Sequence, residues 1–368
     1  MQTVFVGLSG GVDSAVSAAL LKERGFNVVG AFIKIWRPEF IECTWKEDRQ
    51  DAMRVAAALG IPFREIDLSE EYKREIVDSM VADYAKGITP NPDVLCNRYI
   101  KFGSFFRWAR ENGADFVATG HYARVVEQNG TFELHRGADR EKDQSYFLHQ
   151  ISAEDLPHII FPVGDMQKSE VRTAATHFGL PVAKRPDSQG LCFLGDVSMS
   201  EFLSRFMKVE QGDILDMEGK IVGKHGGAAL YTIGQRHGFS VRLLALSLSK
   251  GSVPHYVVAV DTKTNTIRVS PHREDAAIKS VKMCDMHWLQ KPIDPLRLRS
   301  GQVAQGKPLL PAEVFAQARY RETPIKVSIS EVNDVYTVTF SVPHIAAPGQ
   351  SLVLYEGEKC LGGGTIIL

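Results

Sequence analysis

The sequence predicts an α/β N-terminal domain on a parallel sheet, then a small central β-rich module and a C-terminal β-barrel. Three observations carry this. Strand and helix patterns alternate over roughly the first 200 residues. A glycine-rich turn joins the first strand to the first helix. Beyond about Asp196, short β-branched runs separated by turns take over. A chain of 368 residues with 44% hydrophobic side chains has room for two or three domains with real cores.

Val4-Phe5-Val6 reads as a buried strand, and Ala15, Val16, Ala19 and Leu20 keep helical spacing as far as Gly25. Asn27 to Ile35 is a second strand, Asp48 to Leu59 a helix stopped at Gly60, and Phe63 to Leu68 a third strand. Glu70 to Ala85 is a charged amphipathic helix; Thr89-Pro90-Asn91-Pro92 turns the chain into another helix ending near Asn112. Asp115 to Ala118 is a strand leading into Thr119-Gly120-His121-Tyr122. Ligands of parallel sheets sit at the carboxyl ends of strands, where both the first loop and Thr119-Gly120-His121 fall. Later, Val197 to Met207 is helical, and Tyr256 to Val260 with Thr266 to Val269 forms a small β module. Val314 to Tyr320, Ile325 to Ile329, Tyr336 to Phe340 and Leu352 to Tyr355 are strands of a small barrel or sandwich. The expected domains are residues 1–195, 196–274 and 275–368.

The loop Ser9-Gly10-Gly11-Val12-Asp13-Ser14 is the most informative stretch. Two glycines let the backbone turn tightly and aim consecutive N–H groups at one point, where the helix dipole adds positive charge. That is a place for phosphate oxygens. The common alternative loop needs Gly-Lys-Ser/Thr; here no lysine follows the glycines, Ser9 and Ser14 offer hydroxyls, and Asp13 could hold Mg²⁺.

The formal net charge of −1 argues neither for nor against nucleic acid, so an RNA partner would need a local basic patch. Lys291, Arg297, Arg299, Lys307, Arg319, Arg321 and Lys326 outnumber Asp294, Glu313 and Glu322 in their stretch. Met1-Gln2-Thr3 leads directly into the first strand, and no apolar run approaches the ~20 residues of a membrane span, so a cytoplasmic protein is expected. The five cysteines, Cys43, Cys96, Cys192, Cys284 and Cys360, include no Cys-x-x-Cys pair.

Two cysteines have unusual neighbours. Cys96 follows Thr89-Pro90-Asn91-Pro92-Asp93 and lies near a helix N-terminus, where the dipole, Arg98 and Lys101 favour a thiolate. Asp93 is placed for general acid/base work if it faces the same cleft; otherwise it is an N-cap and Cys96 a buried thiol. Cys192 lies between glycines in Ser188-Gln189-Gly190-Leu191-Cys192-Phe193-Leu194-Gly195, downstream of Lys184 and Arg185. That pattern suits either a loop thiol or a small hydrophobe at a domain junction.

The first loop resembles the pyrophosphate-binding loop of the N-type ATP pyrophosphatase superfamily, which has an adenine-nucleotide alpha-hydrolase-like fold. Taken with Thr-Pro-Asn-Pro-Asp, Ala-Thr-Gly-His-Tyr, Lys-Asp-Gln-Ser-Tyr-Phe, Tyr-Thr-Ile-Gly-Gln-Arg, Ala-Pro-Gly-Gln and Cys-Leu-Gly-Gly-Gly in one order, the chain resembles the bacterial tRNA-specific 2-thiouridylases. The resemblance covers essentially the whole chain. It implies that ATP and Mg²⁺ serve to replace the 2-oxygen of a tRNA wobble uridine by sulfur. It also implies that Gly7, Leu8, Ser9, Gly10, Gly11, Val12, Asp13 and Ser14 bind ATP, with Ile33 and Gly120. Asn91, Pro92 and Asp93 would meet the target base. Cys192 would receive a persulfide from a sulfur-relay protein and Cys96 would release its sulfur, leaving a Cys96–Cys192 disulfide. His121, Lys142, Asp143, Gln144, Arg319, Tyr320 and Gln350 would contact tRNA; no DNA and no membrane are implied. The chain departs from the family pattern at Gln189, Leu191, His237 and the apolar stretch Ser240 to Ser249. Three rival readings keep the first domain: an amide-forming ATP pyrophosphatase, an iron–sulfur tRNA thiolase with Cys43 as third ligand, and a non-enzymatic nucleotide-binding regulator.

Overall fold

Alternation of side chains across a parallel sheet builds the first domain. Its strands are β1 (Thr3–Gly7), β2 (Asn27–Lys34), β3 (Phe63–Asp67) and β4 (Phe116–Ala118). A hairpin of β5 (Ala123–Gln128) and β6 (Thr131–Arg136) follows, and β7 (Ile159–Ile160) completes the sheet in the order β3-β2-β1-β4-β7. All four pairings in that sheet are parallel. The structure is a computed structural model describing residues 1–40, 45–187, 197–241, 254–290, 313–333 and 335–367. Val4 and Val6 pack on one face with helices α1 (Val12–Glu23) and α2 (Trp45–Leu59), through Val16 and Val55. Phe5, between them, joins the opposite core with Ile76, Ile100 and Phe105. Both faces are covered, as a parallel sheet requires.

Strand order reverses between β1 and β4, so the switch point lies at their carboxyl ends. Gly120 follows β4 there. A Cβ on Gly120 would lie 2.6 Å from the Ser14 nitrogen and 2.7 Å from the Asp13 carbonyl carbon. Only a residue without a side chain lets the two loops touch backbone to backbone.

The helical region 92–111 runs from Pro92–Leu95 through a π-helical stretch, Cys96–Phe105, into Phe106–Glu111. Asn91 caps it, its Oδ1 accepting from the Val94 N–H at 3.4 Å. Apolar periodicity predicts the helix but not its wider turns, which recur at functional sites.

The central module is a five-stranded sheet of β8 (Gly212–Leu215), β9 (Ile221–His225), β10 (Ser240–Val241), β11 (Tyr256–Asp261) and β12 (Thr266–Ser270). Next come β13 (Ile278–Trp288), β14 (Val314–Gln317), β15 (Ile325–Val332), β16 (Val335–His344), β17 (Ser351–Glu356) and β18 (Lys359–Ile367). These six pair in the order β13-β16-β15-β14-β17-β18, and β13 also pairs with β18, closing a barrel around Val338, Leu352 and Ile366. The β5–β6 hairpin of the first domain extends this sheet through Lys359 opposite His135. The expected strands did not include this hairpin. Its signal was present: Asn129-Gly130, both at positive φ, is the favoured two-residue hairpin turn.

Gly120→Ala is expected to lower stability by about 1–3 kcal/mol, the usual cost of forcing atoms into a packed site; unchanged urea unfolding would contradict the contact. Buried His149 has its pKa lowered to about 4 by desolvation, and burial also holds His121 well below its ordinary value. Unfolded histidines bind protons below about pH 6.5, whereas these do not. Stability should therefore fall as pH drops from 6.5 towards 5, by about 1.4 kcal/mol per unit for each such group. Equilibrium unfolding of His149→Gln across that window should show a shallower slope.

Candidate active site

The phosphate loop closes on itself. Ser14 is buried, and its hydroxyl lies 3.3 Å from the Ser9 N–H, 3.3 Å from the Ser9 hydroxyl and 3.1 Å from the Gly11 carbonyl. Ser9 Oγ accepts from the Gly11 N–H at 3.3 Å. The serine hydroxyls thus shape the loop. Gly7 ends β1, while Leu8 and Val12 anchor the loop in the core. Gly10 takes φ +78, and a Cβ there would meet the Asp48 carbonyl at 2.5 Å. Gly11 is the N-cap of α1 and makes no side-chain capping bond, which leaves first-turn N–H groups for an anion.

Asp13 sits in that first turn, its side chain one-third exposed. Lys168 Nζ donates to both of its carboxylate oxygens, at 2.7 and 2.9 Å, and the Tyr122 hydroxyl donates to one at 2.8 Å. Arg185 donates to the Gly10 carbonyl at 3.1 Å and to Asp51 at 2.8 Å, bracing the loop from α2. Asp187 pairs with Lys142 and Lys168, each at 2.9 Å, and with Arg172. Partial burial opposes its ionisation, but hydrogen bonds from Lys142 and Lys168 outweigh that and hold the carboxyl well below the usual range. Ile33 is half-buried near the carboxyl end of β2, beside the loop's strand.

The segment after β4 ties this loop to the cysteine helix. His121 is buried, its Nδ1 2.7 Å from the Thr119 hydroxyl and its Nε2 3.3 Å from Lys101 Nζ. Burial and then Lys101 keep the imidazole neutral, so it accepts from the ammonium. Burial also raises the pKa of Asp93, with Lys101 opposing. A carboxyl that holds its proton longer suits acid/base work. Asp93 is not the N-cap, a position Asn91 fills. Cys96 begins the π-helical stretch just beyond the first turn and is buried.

A cavity of 380 Å³ opens beside this helix start. Asn91 and Pro92 line it together with Arg319, Tyr320 and Gln350 from the barrel, and Phe147 and Met199. Five site residues expected from the sequence thus meet across more than two hundred positions. Gln350 Nε2 donates to the Thr89 carbonyl at 2.8 Å and the Pro90 carbonyl at 3.2 Å, and Thr89 meets Thr232 of the central module at 2.9 Å. The central module and the barrel therefore both hold Thr89-Pro90, the turn that leads into Asn91. Tyr320 packs against Phe147, ring centroids 4.6 Å apart. Arg319 and Tyr320 follow β14 rather than lying on it, and Arg319 donates to the Ile233 carbonyl at 2.6 Å.

The Lys142-Asp143-Gln144 trio lies elsewhere, on the phosphate side. Asp143 is buried and accepts from Arg136 at 2.7 Å and from the Gly137 N–H at 3.0 Å. Gln144 accepts from the Tyr122 N–H at 3.0 Å. Cys192, its motif, Cys43, and the basic residues Lys291, Arg297, Arg299 and Lys307 lie outside the described residues. Of the rest of that basic stretch, Lys326 pairs with Glu313 at 3.0 Å. Sequence reasoning missed Lys168 altogether, and it named Lys101, Tyr122 and Arg185 without the partners they take here, His121, Asp13 and the Gly10 carbonyl. Lys168 did carry one signal, a cation in the first turn of a helix, against the dipole.

Family models match the chain in three consecutive parts: a tRNA methyl transferase HUP domain over residues 2–196, a tRNA methyl transferase PRC-barrel domain over 200–271, and an aminomethyltransferase beta-barrel domain over 279–366. The chain is similar to the tRNA-specific 2-thiouridylase MnmA of Listeria welshimeri, 41% identical over 369 residues, covering 99% of this chain and 94% of that one. It is similarly 41% identical to the Enterococcus faecalis protein of that name over 371 residues, with the same coverage of both chains. MnmA 2 of Geobacillus kaustophilus is 40% identical over 369 residues, again with 99% and 94% covered. The chain belongs to the tRNA-specific 2-thiouridylase family.

Proposed function

We propose that this chain uses ATP to replace the 2-oxygen of a tRNA wobble uridine with sulfur. The observation that carries the reading is the convergence of Asn91, Pro92, Arg319, Tyr320 and Gln350 on one cavity beside the Cys96 helix. That helix is joined through Lys101 and His121 to the phosphate loop. The loop, residues Gly7 to Ser14, takes the triphosphate on its free N–H groups, with Ile33 and Gly120 flanking the nucleotide. The cavity's aromatic wall suits an unstacked base, and Asn91, Pro92 and Asp93 meet it.

The base 2-oxygen bonds to the α-phosphorus; the bond to the bridging oxygen breaks, its electron pair leaves with pyrophosphate, and N3 gives up its proton. Asp93, whose carboxyl burial makes easier to protonate, serves that transfer. A sulfur-relay protein leaves a persulfide on Cys192. The Cys96 thiolate attacks the inner sulfur of that persulfide, forming a Cys96–Cys192 disulfide and releasing the outer sulfur as hydrosulfide. Hydrosulfide attacks C2, AMP departs with the electron pair of the C2–oxygen bond, and the proton from sulfur passes to N3; a cellular dithiol then reduces the disulfide. Asp13 has the chemistry for Mg²⁺: a partly exposed carboxylate beside a phosphate site, since this ion takes one or two carboxylates with phosphate oxygens and water. Mg²⁺ would supply charge neutralisation on the phosphates.

His121, Lys142, Asp143, Gln144, Arg319, Tyr320 and Gln350 remain the proposed tRNA-contacting set, with residues 1–195, 196–274 and 275–368 as the working division of domains. His121, Asp143, Gln144 and Gln350 would act largely by holding neighbours, since their side chains are bonded within the protein. A cytoplasmic setting, where thiols stay reduced, suits the chemistry. Among the described residues no helix is long and apolar enough to cross a membrane.

The test is incubation with ATP, Mg²⁺, a persulfide donor and unmodified tRNA, followed by nucleoside analysis. We expect 2-thiouridine, and its absence with active donor would refute the reading. Cys96→Ser and Cys192→Ser should each lower product formation by about 100-fold or more while ATP binding persists. Product formed after strict iron removal would exclude the iron–sulfur alternative.

A further inference from the structure

We propose that the Tyr146 hydroxyl is the positioning group that ties the barrel to the target-base turn, so that a tRNA held by Arg319 and Gln350 presents its base at Asn91. The inference rests on the tRNA reading above and deepens it by naming the residue that sets the two halves of the cavity in register.

Tyr146 lies on the short helix Ser145–Leu148, lines the cavity beside Asn91 and is buried. Its Oη lies 3.0 Å from the Ser351 carbonyl oxygen and 3.2 Å from that of Ala318, and its single proton is shared between them. Those residues are the immediate neighbours of Gln350 and Arg319, the barrel side chains that line the same cavity. One hydroxyl thus holds two barrel segments that lie far apart in sequence. The Asn91 Oδ1 accepts from the Val94 N–H, which leaves the Asn91 amide nitrogen for other partners. Desolvation raises the pKa of Tyr146, and the Asn91 amide, donating to the phenol oxygen, opposes that rise. The circuit closes through Gln350, which donates to the Thr89 and Pro90 carbonyls just before Asn91.

The phenol is itself fixed in place. Asn97, next to Cys96, donates its Nδ2 to the Phe147 carbonyl at 3.1 Å. Neutral His149 donates from Nδ1 to the Tyr146 carbonyl at 2.8 Å, and the Ser145 hydroxyl lies 3.2 Å from that of Tyr355 on β17. Packing needs only the ring, which a phenylalanine would supply. The hydroxyl adds register between Asn91 and the barrel. Its hydrogen bonds go to the protein, so Tyr146 acts through its neighbours and not on the reacting atoms. A base oxygen that must meet the α-phosphorus is sensitive to such register, since a misplacement of about 1 Å can cost about 100-fold in rate. The loss should therefore fall on kcat rather than on the binding of ATP or tRNA.

The experiment compares wild type, Tyr146→Phe, Asn91→Ala and the double variant in pyrophosphate release from ATP with unmodified tRNA. The KM for ATP, tRNA affinity and thermal melting are measured in parallel. Tyr146→Phe should lower kcat about 10-fold to 100-fold. Its KM for ATP and its tRNA affinity should stay within about threefold of wild type. In the Asn91→Ala background the same substitution should cost less than about threefold, because the partner through which it acts is gone. A hydroxyl that served stability alone would lower melting and leave the kcat of the folded protein unchanged. A kcat for Tyr146→Phe within about twofold of wild type overturns the assignment, and so do losses that simply multiply in the double variant. Failure of Tyr146→Phe to fold also overturns it, by making the hydroxyl a folding group. Wild type that releases no pyrophosphate refutes the ATP reading itself, a different outcome.

Discussion

The backbone contact between Gly120 and the first turn of α1 is the constraint on which the site depends. It forces the loops after β1 and β4 together at the switch point of the sheet. Each neighbour of Gly120 then has a fixed partner. Tyr122 reaches Asp13, and His121, steadied by Thr119, reaches Lys101 on the helix that carries Cys96. Four consecutive residues thus connect the phosphate loop to the thiol.

The two sides of this connection differ in electrostatic character. On the phosphate side, Lys142, Lys168 and Arg172 surround Asp187 and hold it ionised. On the side of the Cys96 helix, burial dominates: His121 stays neutral and Asp93 is pushed towards its protonated form. One side is suited to anionic oxygens and the other to a flat, weakly charged ring and a proton. Burial and pairing create this difference, not residue type, since Asp93 and Asp187 are chemically the same.

The C-terminal barrel is part of the site. It takes in the β5–β6 hairpin at one edge, and through Gln350 it holds the carbonyls of Thr89 and Pro90. Thr232 braces the same turn from the central module. A proline-rich turn donates few backbone hydrogen bonds of its own, so outside partners must fix its shape.

The sequence alone determined the fold class and the alternation of the first domain, and it marked the glycine loop and the proline-rich turn as the proposed sites. Those features are local: glycine, proline and apolar spacing act over a few residues, and order along the chain identifies the family. The hairpin turn Gln128-Asn129-Gly130-Thr131 is equally local, since Asn-Gly takes the positive φ values that a two-residue turn needs. Only the tertiary structure could decide that Asn91 and Gln350 face one cavity, or that Lys168 meets Asp13 across 155 residues of chain. It also made Asn91 the N-cap, which rules out that alternative for Asp93, and set Cys96 in a π-helical stretch. The reason is that long-range pairing and burial depend on the path of the whole chain, which periodicity does not encode.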